Sequence, residues 1–182
     1  MMEQVFDTQK LTSEIENCLC DVAKELTDEG RMSNKDWTQE CLGKLAELGE
    51  KNGYHAATCS RCGDHEWLYD LIWWKGEDGG MTDLILALES EWSPSFRDVR
   101  YDFQKLVQAR ARIKVLISDA MSIEDRQILI SDIDNFALDD NDGVYLFVMY
   151  NGNPAKPRRF GFFRRNTLCG LFPNNKGNEI HA

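Results

Sequence analysis

The segment DLILALESEW, residues 83–92, sets Glu89 and Glu91 two apart in an otherwise apolar run. Such a run, bounded by turn formers, reads as a strand buried on at least one face. Side chains alternate along a strand, so the two carboxylates point to one side. Like charges on a buried face repel each other and resist desolvation. A cation beside them resolves the conflict, most simply a metal ion. A second apolar run, EWLYDLIWW, carries Asp70 and is joined to the first by the turn KGEDGG. The two read as a hairpin that places Asp70 opposite Ala87 or Glu89, depending on register. Unless a bulge intervenes, Asp70 then shares the face of Glu89 and Glu91. Three carboxylates on one face suit Mg²⁺ or Mn²⁺, hard ions that take oxygen ligands and complete their shell with water. The competing reading is a solvated face, because an exposed antiparallel face can be polar.

Several elements must position these residues. Residues 8–28 read as an acidic helix with Leu11, Ile15, Cys18, Val22 and Leu26 at helical spacing. A second helix, capped by Ser33 or Asn34, carries Trp37, Cys41, Leu45 and Leu48 and stops at Asn52-Gly53. YHAATCS is a short strand, followed by the hairpin of residues 66–92. A helix from Ser95 shows Phe96, Val99, Phe103, Leu106 and Val107 on one face, and IKVLISD follows as a strand. Strand, helix and strand in that order predict a right-handed parallel crossover. SIEDRQILISDIDNFA is a further helix, GVYLFVMY a fifth strand and PRRFGFFRRN a sixth. The expected fold is α/β, a three-layer α/β/α arrangement around a mixed sheet of five to six strands. Residues 1–32 read as an acidic helix and linker, 33–166 as the α/β core with its basic hairpin, and 167–182 as an irregular tail.

Residues 36–118 resemble the core of the PD-(D/E)xK, or restriction-endonuclease-like, nuclease superfamily. That core runs helix, three meandering strands, helix, strand. It places an Asp on the second strand and an acid-x-Lys pair on the third. Asp70 in YDL matches the first acid and Glu89 in LALESE the second. No proline precedes Asp70, and the lysine position is Glu91. Some restriction endonucleases of this fold also carry Glu there, and other branches move the lysine to the following helix, where Lys105 stands in DFQKL. A fourth acid often comes from the first helix, and Glu40 in WTQECLG occupies a similar place. The resemblance implies Mg²⁺-dependent hydrolysis of a phosphodiester. Asp70 and Glu89 would hold the ion, Lys105 would steady charge on the phosphate, and Glu91 would orient or deprotonate the attacking water. It also implies a nucleic-acid substrate and a dimer in many members. A nuclease-like scaffold without catalysis, acting through a protein partner, is the alternative.

Other stretches could carry chemistry. HAATCSRCGDH contains His55, Cys59, Cys62 and His65, a Cys-x-x-Cys half-site that two histidines could complete for zinc. The spacing is compressed for a finger, and a plain turn between strands is the competing reading. Net charge is −10 and uneven: residues 1–91 hold 20 acids and 8 bases, residues 92–182 hold 11 and 13. No acid lies between Gly143 and Asn178, a stretch with Lys156, Arg158, Arg159, Arg164 and Arg165. This basic, aromatic hairpin could track a phosphate backbone, or use its charge to protect a sheet edge. DDND at residues 139–142 reads as a solvated turn. The N-terminus has no basic start followed by an apolar stretch, and no run is long and apolar enough to span a bilayer. The composition therefore reads as a cytoplasmic protein, without membrane attachment and with reduced cysteines.

Overall fold

The structure, a computed structural model, describes residues 6–30, 33–58, 68–77, 80–137, 143–150 and 160–166. Helix α1 (Thr8–Asp28) starts at Asp7, whose side chain accepts the Lys10 N–H at 2.9 Å. Helix α2 (Asn34–Lys51) is capped by Ser33, which accepts the Asp36 N–H at 3.1 Å. It ends at Asn52, and Gly53 follows at φ 80°, a left-handed conformation that costs glycine little. The remaining elements are β1 (His55–Thr58), β2 (Leu71–Lys75), β3 (Asp83–Glu91), α3 (Phe96–Gln108), β4 (Ile113–Asp119), α4 (Ile123–Phe136), β5 (Val144–Tyr150) and β6 (Phe160–Asn166).

The six strands form one sheet in sequence order. β2 runs antiparallel to both β1 and β3; β3, β4 and β5 are parallel; and β6 returns antiparallel to β5. The chain is thus α/β with a mixed open sheet. The parallel steps each cross through a helix, α3 and then α4, as such connections require.

Alternation along the strands sorts the core into two clusters. Ile113, Val115 and Ile117 of β4 join Leu146 and Val148 of β5 in a cluster with α1 and α2. Leu116 joins Tyr145 and Phe147 in a cluster with α3 and α4. Helix α1 contributes Leu11, Ile15, Leu19, Val22 and Leu26 to the first cluster, so it packs into the same core as the sheet.

Two details of the hairpin bear on the carboxylates. A bulge does intervene: Trp73 pairs with Leu86 and Trp74 with Leu84, leaving Ile85 as the extra residue. It lies toward the turn, and beyond it Ile72 pairs with Ala87 and Leu71 with Leu88 in regular order. Asp70 is also not within the strand. β2 begins at Leu71, and residues 68–70 form a bend. The reason is local: the Asp70 carboxylate accepts the Ser90 N–H at 2.8 Å, so a side chain meets β3 where a backbone carbonyl would.

The end of β3 is tied down from the first cluster. The Trp92 indole N–H donates to the Thr38 hydroxyl of α2 at 2.9 Å, and the Trp92 ring lies 6.4 Å from that of Trp37. Thr38→Val keeps the shape and removes the acceptor. It should cost about 1–3 kcal/mol, the price of a buried donor left unmatched. Urea denaturation should show a lower midpoint at unchanged slope; an unchanged midpoint would mean the bond contributes nothing.

Candidate functional site

Glu89 belongs to the same alternate set as Ala87, and its neighbour on β4 is Leu116. That set packs with α3, and Glu89 is buried to 2 % exposure. A carboxylate so placed needs a positive partner. Helix α3 supplies it. Val99, Phe103, Leu106 and Val107 anchor the helix on the sheet, and Lys105 reaches past them to put Nζ 2.7 Å from Glu89 Oε1. The same ammonium lies 2.8 Å from Asp102 Oδ1, one turn back on the helix.

The other predicted acids gather around this pair. Asp70, half-buried, is close enough to Glu89 and Lys105 to interact with both charges. Glu91 Oε1 accepts the Ser93 N–H at 2.7 Å, and its carboxyl is close enough to Asp102 for the two negative charges to act on each other. The result is a continuous chain of charge, from Asp70 to Glu89, Lys105, Asp102 and Glu91.

Burial dominates the titration of this cluster. It pushes Glu89 from 4.5 up to about 8, against the opposing hydrogen bond from Lys105 and with the Asp70 charge adding to the rise. Burial also raises Asp70, opposed by the Ser90 N–H and by Lys105. Glu91 is raised by burial and by Asp102 and Asp98, against the Ser93 N–H. Burial alone would lower Lys105, but its bonds to Asp102 and Glu89 outweigh it and hold the ammonium charged.

The structure thus brings together Asp70, Glu89, Glu91 and Lys105. Glu40 is half-buried on α2, while the charges that perturb Asp70, Glu89 and Glu91 come from Lys105, Asp98, Asp102 and one another. His55 stacks on Trp74 with ring centroids 5.3 Å apart, and its Nε2 lies 3.2 Å from the Gly76 carbonyl oxygen. Cys59, Cys62 and His65 lie outside the described residues, as do Lys156, Arg158 and Arg159, the 139–142 turn and the 167–182 tail. Arg164 and Arg165 belong to β6 by their backbone, paired with Leu146 and Tyr145, and their side chains are outside the described part.

Sequence reasoning missed Asp102, Tyr69 and Lys114. Asp102 was findable: Asp98, Asp102 and Lys105 follow one another at i, i+4 and i+7, a polar stripe along α3. The Tyr69 hydroxyl donates to the Lys105 carbonyl at 3.4 Å, a long contact between the bend before β2 and the helix. Lys114 reads as part of an apolar strand. It is buried opposite Ala87, and its ammonium donates to the Tyr145 hydroxyl at 3.1 Å. Burial brings its pKa down to about 8.

Among the described residues no group of three or more His, Cys, Asp or Glu side chains is arranged to hold a metal ion. Mg²⁺ asks for less, since one or two carboxylates with water and substrate oxygens satisfy it. Asp70 and Glu89 meet that requirement as a donor set. Among the described residues no helix is long and apolar enough to cross a membrane. No protein-family model matches the chain, and no curated protein matches it.

Glu89 makes stability depend on pH in a definite direction. The unfolded carboxyl loses its proton near 4.5 and the folded one near 8. Between these values the folded state binds more protons, so stability falls as pH rises through the window and the penalty is constant above it. In metal-free buffer the stability of Glu89→Gln relative to wild type should therefore grow from pH 5 to 8, by on the order of a few kcal/mol. Parallel pH profiles for the two proteins in chemical denaturation would contradict this.

Proposed function

We propose that the chain is a divalent-metal-dependent phosphodiesterase acting on nucleic acid, with a three-layer α/β/α fold of the restriction-endonuclease-like kind. One observation carries the reading: Lys105, arriving from α3, meets the buried Glu89 at 2.7 Å beside Asp70. This is the acid, acid and lysine set that the resemblance asks for, with the lysine on the helix. Two further features support it. The core clusters take alternate residues of the same strands, as a sheet covered by helices on both faces requires. Glu89 and Glu91 also lie at the carboxyl end of β3, one of three parallel strands, where open α/β sheets bind ligands.

Asp70 and Glu89 would hold Mg²⁺ or Mn²⁺, which when bound supplies Lewis-acid polarisation of a phosphoryl oxygen. Lys105 keeps a charged donor at the place where negative charge builds on the phosphate. Glu91, whose pKa burial raises, is the more basic for it and would take the proton of the attacking water. The basic segment with Lys156, Arg158, Arg159, Arg164 and Arg165 would track the phosphate backbone.

A second reading is favoured by the same ion pair. Lys105 already compensates Glu89, and Glu91 stands where the strand lysine would be. A scaffold of this kind could have lost catalysis and act through a protein partner.

Cleavage of mixed DNA and RNA substrates with Mg²⁺, Mn²⁺ or EDTA separates the two. The phosphodiesterase reading expects metal-dependent cutting that Asp70→Asn/Glu89→Gln lowers by ~10³-fold or more, the loss of several kcal/mol of charge stabilisation. Lys105→Met should cost ~10²–10³-fold, as loss of one charge-stabilising donor does. Absence of cutting with every substrate and metal would favour the non-catalytic scaffold.

A further inference from the structure

We propose that Lys105 is a built-in counter-ion for the divalent site, and that Asp102 is the positioning residue that receives it when the metal ion binds. The inference rests on the metal-site reading above and adds how that site is kept and switched.

The geometry is of one ammonium shared by two carboxylates. Lys105 Nζ is 2.7 Å from Glu89 Oε1 and 2.8 Å from Asp102 Oδ1. An ammonium has three donors, so it can serve both acceptors and can release one without losing all its partners. The two acceptors are not equivalent. The Glu89 side chain is 3 % exposed, while those of Asp102 and Lys105 are 18 % and 26 % exposed. Glu89 has little water to fall back on, and a buried carboxylate stripped of its cation is strongly disfavoured. In the metal-free protein Lys105 meets that need.

A divalent ion on Glu89 changes the balance. It brings two positive charges against the ammonium at contact distance, and Lys105 must give way. Two other charged groups on α3, Asp98 and Arg100, are engaged elsewhere. Asp98 accepts the Ser93 hydroxyl at 2.8 Å, and Arg100 makes a two-point ion pair with Asp132 of α4 at 2.8 Å for each bond. Asp102, three residues from Lys105 on the same helix, is the acceptor already in contact. It holds the ammonium beside the site, still charged and able to meet a phosphate. Metal and lysine therefore compete for Glu89, and Asp102 decides how readily the lysine yields.

The test is calorimetric titration of Mn²⁺ into four proteins without substrate: wild type, Lys105→Met, Asp102→Asn and the double variant. Thermal unfolding in EDTA reports whether each is folded, and Lys105→Arg serves as a charge-keeping variant if the methionine destabilises the protein. Lys105→Met should tighten Mn²⁺ binding by about ten-fold, a typical size for coupling between linked sites. Lys105→Arg should stay near wild type. Asp102→Asn should weaken binding by about ten-fold, since the lysine then has Glu89 as its remaining partner. The decisive comparison is the cycle. If Asp102 acts by receiving Lys105, Asp102→Asn has little effect once Lys105 is methionine. If Asp102→Asn weakens binding equally in both backgrounds, it acts only as a nearby charge and the proposal is overturned. Mn²⁺ binding to wild type that Lys105→Met leaves unchanged overturns the counter-ion role and spares the metal site. If none of the four proteins takes up Mn²⁺, the metal-site reading falls, and this inference with it.

Discussion

A carboxylate buried to 2 % exposure must find a positive charge, and in this chain Glu89 finds Lys105 at 2.7 Å. Much of the architecture follows from that contact. β3 must be interior to the sheet, with β2 on one side and β4 on the other, for Glu89 to be covered. Helix α3 must lie across the same face with its apolar stripe seated so that position 105 overhangs the strand end. Phe103 provides that seating through ring contacts with Tyr145 and Phe147, whose centroids lie 5.9 and 5.3 Å away. The Arg100–Asp132 pair then ties α3 to α4 by a buried carboxylate, fixing the helix from its other side. Moving α3 by a single turn would take away the Lys105 contact that opposes the protonation of Glu89, and its pKa would rise further.

The carboxylates were legible because strand alternation is a simple rule and the chain obeys it where it matters. Leu71 pairs with Leu88 and Ile72 with Ala87, so continuing that register by one residue brings Asp70 level with Glu89. The bulge at Ile85 was not legible, since an extra residue in LILAL leaves no mark on a continuous apolar run. It does its work on the side of the turn, letting Leu84 pack with the cluster of Ala87 while Ile85 joins Leu86 and Leu88. Lys105 was reachable only through resemblance, because a lysine on an amphipathic helix is ordinarily a solvated one. Asp102 carried a helical-spacing signal that pointed to it, but spacing alone cannot tell a surface stripe from a stripe facing buried charge. Lys114 left the least trace: nothing in IKVLISD tells that its one cation turns inward to a tyrosine hydroxyl.

The cluster is built of opposing tendencies. Five carboxyl-bearing residues, Asp70, Glu89, Glu91, Asp98 and Asp102, act on one another around one lysine. A fold seeking only stability would do better with apolar residues of similar volume, because buried charge pairs seldom repay their desolvation. The retention of excess negative charge at the carboxyl ends of parallel strands is economical if a cation of higher charge arrives there. The acidity of the site also suits the chain's uneven charge: a negative centre would meet phosphate through a metal ion, and the basic segment after Gly143 would supply the attraction at longer range.

Where a divalent ion settles on this chain is the most direct test of the site. Crystals soaked in Mn²⁺ and measured for anomalous scattering should show a peak between Asp70 and Glu89, with carboxylate oxygens at about 2.1 Å as expected for a small hard ion. The Lys105 ammonium should be displaced from Glu89 toward Asp102. A site free of anomalous density at saturating Mn²⁺, with Lys105 still on Glu89, would contradict the central claim and leave the pair as a structural ion bridge.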